Sequence, residues 1–231
     1  MKRRNFIQQT SAATAFIGIG GLSSLSFKPN YKKHITILHT NDVHSHIEPF
    51  GPDDSRNPNM GGVARRATLI QQIKNENPNT LLLDAGDIFQ GTPYFNFYGG
   101  ELEFKLMSKM KYDAATIGNH DFDNGIDGLY AQLPHAEFDF ISSNYDFSKT
   151  VMDGHTRDHK IFTKDGVKIG IFGLGIELQG LVNDSLYKET KYLDPVEIAQ
   201  DQSRILKEEK NCDMVICLSH LGYKYSSDKI S

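Results

Sequence analysis

From Tyr31 onward, short apolar runs alternate with segments of helical periodicity, which limits the chain to few architectures. Such alternation is typical of strand and helix units packed around a sheet, and it predicts an α/β fold. The predicted strands are His34–Thr40, Thr80–Asp84, Ala114–Ile117, Phe138–Ser142, His159–Thr163, Val167–Leu174 and Met214–Ser219.

The predicted helices lie between these strands, at Val63–Asn75, Glu101–Met110, Pro195–Glu209 and from Asn124 to about Leu133. Asp194 is the predicted N-cap of the third of these helices, because Pro195 is favourable at a first helical position. The Asp165-Gly166 pair between two predicted strands favours a hairpin turn. An antiparallel hairpin among strand–helix units predicts a mixed sheet rather than a purely parallel one.

Composition narrows the class of protein. With 231 residues, 39% hydrophobic, the chain can bury one sizeable core without disulfide staples. Its two cysteines, Cys212 and Cys217, are expected to be unpaired thiols. The net charge of −4 argues against nucleic acid as a partner, since nucleic-acid binders need clustered Lys and Arg.

The first 27 residues resemble an export signal. Arg3 and Arg4 stand just before Phe6, and a weakly apolar Gly/Ala/Ser-rich run follows that is too short and diluted to span a membrane. The paired arginines resemble a twin-arginine signal, with an ordinary secretory signal or an uncleaved anchor as alternatives. Residues 1–27 are therefore predicted to direct export to the periplasm or cell exterior, without stable membrane insertion after their removal.

Four predicted strands end in side chains that bind metals. Because strand ends meet at one edge of an α/β sheet, these side chains are expected to share a pocket. Asp42 and His44, two positions apart in a segment expected to be extended, should face the same side. Imidazole, carboxylate and amide ligands suit Mn, Zn, Fe or Co ions. The candidate metal ligands are Asp42, His44, Asp87, Asn119 and His220.

The strings around these ligands resemble the calcineurin-like metallophosphoesterases, over about residues 35–221. The resemblance is carried by Asp42-Val43-His44, Gly86-Asp87, Gly118-Asn119-His120-Asp121 and Ser219-His220. The longer strings Leu38–His44, Gly86–Pro93 and Gly118–Asp123 resemble the 5′-nucleotidase branch. This resemblance implies two stacked mixed β-sheets flanked by helices, a four-layer sandwich.

The resemblance also implies roles for individual residues. One of two divalent metal ions would be held by Asp42, His44 and Asp87, and the other by Asp87, Asn119 and His220. A metal-bound hydroxide would attack phosphorus, while His120 stabilises the transition state or protonates the leaving oxygen and Asp123 orients His120.

Other side chains near these strings have plainer expected roles. Asp123 could be a helix N-cap, a role that is compatible with orienting His120. Asp121 is expected either to be structural or to support the metal ligands without binding a metal itself. Arg65 and Arg66 are expected to lie on a solvated helix face, although they could neutralise a substrate phosphate.

One family motif is missing from the sequence. The Gly-His-x-His motif that supplies one histidine to each metal does not occur, so the catalytic domain, residues 28–231, is expected to be C-terminally truncated. In two-domain members of the family a C-terminal domain binds the nucleoside base, so the resemblance implies a separate C-terminal substrate-binding domain as a possible partner.

The leading hypothesis is an exported dinuclear-metal phosphohydrolase acting on a small-molecule phosphoester, most plausibly a nucleotide. Alternatives are a 2′,3′-cyclic nucleotide phosphodiesterase, a nucleotide-sugar hydrolase, a thiosulfate-ester hydrolase or a non-catalytic metal-binding module.

Overall fold

A computed structural model describes residues 32–222. The predicted export signal, residues 1–27, lies outside the described residues. The strands are β1 (Thr36–Thr40), β2 (Thr80–Asp84), β3 (Ala114–Ala115), β4 (Asp139–Phe140), β5 (Tyr145–Asp146), β6 (His159–Lys164), β7 (Val167–Gly175), β8 (Lys191–Tyr192) and β9 (Met214–His220). The helices are α1 (Val63–Glu76), α2 (Pro93–Tyr98), α3 (Glu101–Met110), α4 (Gly125–Gln132), α5 (Asp184–Tyr187) and α6 (Pro195–Arg204).

Two larger sheets form the centre of the fold. The first contains β1, β2, β3 and β4 in that order, with every neighbouring pair parallel. In the second, β7 pairs antiparallel with β6 and parallel with β9. The predicted hairpin is confirmed: Asp165 (φ 49°) and Gly166 (φ 69°) both take the positive φ that a tight hairpin turn requires. The mixed α/β prediction is therefore confirmed.

The two sheets pack face to face through alternate side chains of their strands. One buried cluster joins the two sheets. It contains Leu81, Leu83 and Ala114 from the first sheet and Ile169, Ile171 and Leu218 from the second. Since successive strand residues point to opposite faces, Leu82 and Ala115 pack instead with Phe104 of α3 and Leu129 of α4. On the outer face of the second sheet, Phe172 and Leu174 pack with Leu206, which follows α6, and Ile198 of α6. The order of layers is helix, sheet, sheet, helix, as predicted.

The longer helices agree with the sequence prediction. The Asp194 carboxylate accepts hydrogen bonds from the backbone N–H groups of Val196 (2.8 Å) and Glu197 (3.0 Å), so its prediction as the N-cap of α6 is confirmed. That helix is α-helical only to Arg204 and continues as a π-helical turn, Ile205–Glu209. Both cysteines are unpaired, with Cys212 buried and Cys217 exposed.

Four short elements were not predicted: α2, α5, β5 and β8. The α2 segment is rich in aromatic residues and leaves Phe97 82% exposed, so it lacks the apolar stripe that identifies a helix. Its available signals were Pro93 at the start and Gly99, in the left-handed conformation, at the end. Within residues 32–222, no helix is long and apolar enough to cross a membrane.

Candidate metal centre

The segment after β1 brings Asp42 and His44 together, but not in the predicted way. Both were expected in extended backbone, and instead both have left-handed φ values of 51° and 46°. The reason is tertiary: the Asp42 N–H donates to the carbonyl of Gly86 (3.0 Å), and the His44 N–H donates to the carbonyl of Asp87 (3.1 Å). These bonds turn the chain sharply, and His44 Nε2 still lies 3.8 Å from Asp42 Oδ1.

Asp87, in the loop after β2, lies at the centre of the cluster. Its carboxylate oxygen Oδ2 is 3.7 Å from His44 Nε2 and 3.2 Å from His220 Nε2. The other oxygen, Oδ1, accepts a hydrogen bond from the backbone N–H of His120 (2.8 Å). Asp87 is only 3% exposed, and the charge and hydrogen bond of His220 outweigh this burial and lower the pKa of Asp87.

Two glycines make room for this arrangement. A Cβ on Gly118 would lie 2.2 Å from Asp87 Oδ1, and a Cβ on Gly86 would lie 3.1 Å from His220 Nδ1. Gly86 also has a φ of 92°, which residues with a Cβ rarely adopt. The close approach of β2, β3 and β9 at this edge therefore requires glycine at both positions.

The two histidines are oriented like metal ligands. His220 Nδ1 lies 2.8 Å from the carbonyl oxygen of Ala85, and His44 Nδ1 lies 3.2 Å from that of Phe89. A carbonyl can only accept, so each Nδ1 is assigned as the donor and each Nε2 faces Asp87. Metal-binding histidines in proteins are oriented by the same kind of bond.

The charge state of His220 follows from its contact with Asp87. Burial disfavours a charged imidazole, but the hydrogen bond and charge of Asp87 raise the pKa of His220 to about 9. When the His220 imidazole is charged, its Nε2 carries a proton that is directed at Asp87. A divalent cation bound by both groups would replace that proton, as is usual when metals bind.

A cavity of about 560 Å³ opens at this edge of the two sheets. Three side chains each contribute one potential ligand atom, and these three atoms all lie within 4.8 Å of one another. The side chains are those of Asp42, Asp87 and His220. The cavity is lined by Asn41, Asp42, Asp87, Asn119, Ile176, Ser219, His220 and Gly222. Carboxylate, imidazole and amide donors around one space fit first-row divalent metals. A larger cavity of about 1170 Å³ lies between α1 and α3 and contains none of these ligands.

His120 and Asp123 form a pair beside this cluster. His120 Nδ1 lies 2.8 Å from Asp123 Oδ2, and the His120 ring centre is 5.2 Å from that of His44. Partial burial lowers the pKa of His120, but the bond to Asp123 and the charge of Asp87 outweigh it, so the net shift is upward. The suggested N-cap role of Asp123 is wrong, because Asn124 precedes α4 and the Asp123 carboxylate contacts His120 instead.

Two buried carboxylates hold the loops of the site: sequence reasoning assigned Asp121 a structural or supporting role and did not single out Asp84. Asp121, 1% exposed, accepts four backbone hydrogen bonds from the loops that carry Asp87 and Asn119. Asp84, fully buried at the end of β2, accepts from the Thr40 hydroxyl (2.5 Å) and the Gly86 N–H (2.9 Å). Burial raises the pKa of Asp84 to about 6. Burial and the charge of Asp87 together raise the pKa of Asp121 to about 7. Neither strand periodicity nor ligand spacing indicates such acceptors.

The two arginines of α1 differ in exposure. Arg65 is exposed, as predicted, and donates to the carbonyl of Asn59. Arg66 is half-buried rather than solvated, and its Nε is enclosed without a hydrogen-bond partner. The predicted solvated face is therefore wrong for Arg66, because α1 packs part of this side chain toward the interior.

Known protein families and sequences include matches to this chain. The model of the calcineurin-like phosphoesterase family matches residues 35–231. The snake venom 5′-nucleotidase of Crotalus adamanteus is 38% identical over 197 residues, which is 82% of this chain and 33% of the relative.

Two solved structures share the fold. The 5′-nucleotidase precursor of Thermus thermophilus has a TM-score of 0.75 at 36% identity, over 82% of this chain and 37% of that chain. The NAD nucleotidase of Haemophilus influenzae has a TM-score of 0.73 at 32% identity, over 81% of this chain and 38% of that chain. The chain thus spans about a third of the length of the curated relatives it matches.

Proposed function

This chain belongs to the calcineurin-like phosphoesterase family, and we propose that it is the catalytic part of an exported 5′-nucleotidase that hydrolyses nucleoside phosphates with two divalent metal ions. The observation that carries the proposal is the convergence of Asp42, Asp87, Asn119 and His220 on one cavity. These residues come from four different strand ends, and no packing requirement of the core explains such a grouping of polar side chains.

The five proposed ligands divide into two sets that share Asp87. Asp42, His44 and Asp87 would hold one ion, and Asp87, Asn119 and His220 would hold the other. When bound, such ions supply positive charge that attracts a phosphate group and activates water for its hydrolysis. The Nδ1 bonds of His44 and His220 keep each Nε2 directed at Asp87 before any ion arrives, which reduces the cost of assembling the site.

His120 is the proposed acid for the leaving oxygen. Its Nδ1 is occupied by Asp123, so Nε2 is the nitrogen that can face a substrate. The Asp123 carboxylate fixes the ring orientation and favours the protonated ring, from which Nε2 donates a proton to the departing nucleoside oxygen. Because His120 also donates its backbone N–H to Asp87, its position relative to the metal ligands is set by the same loop.

Export and domain organisation are part of the proposal. Export is supported by Arg3 and Arg4 before a weakly apolar run in the sequence. The catalytic domain is proposed to occupy residues 28–231 and to act together with a separate substrate-binding domain.

The test is a substrate panel on the full-length protein loaded with Mn²⁺ or Zn²⁺. The panel contains nucleoside 5′-monophosphates, NAD, a 2′,3′-cyclic nucleotide, a nucleotide sugar and a thiosulfate ester. We expect metal-dependent release of phosphate from the nucleoside monophosphates, abolished in Asp87→Asn and retained in Asp127→Asn. Asp127 is an exposed carboxylate on α4, so the control makes the same chemical change away from the site.

Two other outcomes are informative. Faster hydrolysis of another ester would move the protein to one of the related activities. Metal binding without hydrolysis of any ester would refute the hydrolase and leave a metal-binding module.

A further inference from the structure

Asp121 is a buried carboxylate whose two oxygens are fully used by backbone groups. Its Oδ2 accepts from the N–H groups of Asp87 (3.1 Å) and Gly118 (2.8 Å). Its Oδ1 accepts from the N–H groups of Ile88 (2.8 Å) and Phe89 (3.0 Å). Asp121 is 1% exposed and does not line the cavity, so it is available neither to a substrate nor as a metal ligand.

The loop that Asp121 holds has an unfavourable backbone. Asp87 has a φ of 56°, which is unfavourable for a residue with a Cβ, and Gly86 before it has a φ of 92°. This turn directs three consecutive N–H groups, those of residues 87 to 89, at one point, and such concave groups of N–H donors bind anions. The Asp121 carboxyl group, supplied from 34 positions away in the chain, is the acceptor for these N–H groups.

The positions of other site residues depend on the same loop. The carbonyls of Gly86, Asp87 and Ile88 accept hydrogen bonds from the N–H groups of Asp42 (3.0 Å), His44 (3.1 Å) and Ser45 (2.9 Å). The fourth bond of Asp121, from Gly118, holds the segment that continues into Asn119 and His120. One carboxylate therefore connects the backbone of the segments that carry Asp42, His44, Asp87 and Asn119.

We infer that Asp121 is a positioning residue that sets the relative placement of the ligand loops after β1, β2 and β3. The inference rests on the proposed function for the identity of the ligands. The four N–H groups that converge on Asp121 fix the backbone of the ligand loops relative to one another. Loss of that acceptor frees the loop after β2, and with it Asp87, the ligand that the two ions would share.

The test is the isosteric change Asp121→Asn. An amide keeps one oxygen, but its NH₂ group is a donor that faces two backbone N–H donors, so two of the four hydrogen bonds are lost. We expect Mn²⁺ or Zn²⁺ to bind about 10–100-fold more weakly, the range for removing groups that orient metal ligands. We also expect faster amide hydrogen exchange at residues 87 to 89 in the metal-free protein, a readout that needs neither metal nor activity.

The matched control is Asp113→Asn. Asp113 also accepts a backbone hydrogen bond, from the N–H of Leu82 (2.8 Å), but it precedes β3, whereas Asn119 and His120 follow that strand. The control is expected to lower thermal stability without changing metal affinity. If Asp121→Asn unfolds the chain, Asp121→Ser provides a second variant, because a hydroxyl and the space beside it admit a water that can accept the freed N–H groups.

The outcomes separate this inference from the proposed function. Unchanged metal affinity and unchanged exchange at residues 87 to 89 in a folded Asp121 variant would overturn the positioning role. If Asp87→Asn leaves metal binding intact, the proposed ligand set fails, while the exchange measurement still decides whether Asp121 holds the loop.

Discussion

The change Gly118→Ala tests directly how closely the site loops pack. The added Cβ would lie 2.2 Å from Asp87 Oδ1 and 2.5 Å from the Asp87 backbone nitrogen, where ordinary contact begins at 3.4 Å. The carboxylate oxygen would have to move away by about 1.2 Å, the difference between 2.2 and 3.4 Å. Asp87 cannot do this by a side-chain rotation alone, because its backbone nitrogen is also too close and is held by Asp121.

Two losses are expected from this displacement. Overpacking of a well-packed interior costs about 1–3 kcal/mol of unfolding free energy, and each 1 kcal/mol lowers the melting temperature of a chain of this size by roughly 2–4 °C. A shift of about 1 Å in a reacting or ligating group costs on the order of 100-fold in rate. We therefore expect a moderate decrease in stability and a much larger decrease in metal affinity and phosphoesterase activity.

The assay combines thermal denaturation of the metal-free protein with calorimetric titration of Mn²⁺. The control is Gly51→Ala, since a Cβ on Gly51 meets nothing within 4 Å and its φ is not positive. Metal affinity equal to that of wild type in a stably folded Gly118→Ala variant would refute the reasoning, because it would mean that Asp87 moves without consequence.

Three further predictions concern other parts of the molecule. Asp194→Ala removes the N-cap of α6 and should lower stability by about 1 kcal/mol, whereas Asp194→Asn should not, as thermal denaturation of both variants would show. Burial opposes ionisation of Asp139, but Lys160 and Arg157 outweigh it and lower the pKa of Asp139. Its ion pairs therefore stabilise the fold at pH values above the ordinary carboxyl pKa. This stabilisation is lost as the pH falls through the lowered pKa that Asp139 has in the folded protein. Asp139→Asn should therefore lower the melting temperature at neutral pH, and a difference that did not shrink below about pH 4 would contradict this assignment. Asp123→Asn should lower kcat by roughly 100-fold with little change in Mn²⁺ affinity, because it removes the carboxylate that favours the protonated His120 ring and leaves the metal ligands in place. An equal loss of metal binding would exclude this role of Asp123.

Most regular elements could be predicted from local pattern. The seven longer or better-patterned strands, the four main helices and the Asp165-Gly166 hairpin all occur where the sequence indicates them, with ends that differ by a few residues. These elements are set by apolar periodicity and by turn and cap residues, which act over a few positions. The short elements α2, α5, β5 and β8 lack such periodicity and form because neighbouring structure pairs or covers them.

The identity of the candidate ligands could also be predicted, but their geometry could not. Asp42 and His44 were expected in extended backbone, and tertiary bonds to Gly86 and Asp87 hold them in left-handed conformations instead. The pairing of His120 with Asp123 followed from resemblance, whereas the role of Asp121 as a fourfold acceptor appears only when the loops after β2 and β3 meet.

The sequence by itself determined where the longer elements form and which polar side chains follow them, because strand, helix and turn preferences depend on near neighbours. Only the tertiary structure decided how those side chains meet. His220 reaches the carbonyl of Ala85 from 135 positions away, and Asp121 reaches the amide of Phe89 from 32 positions away. Such contacts depend on the stacking of two sheets and on a backbone forced into left-handed turns, and no local pattern encodes either.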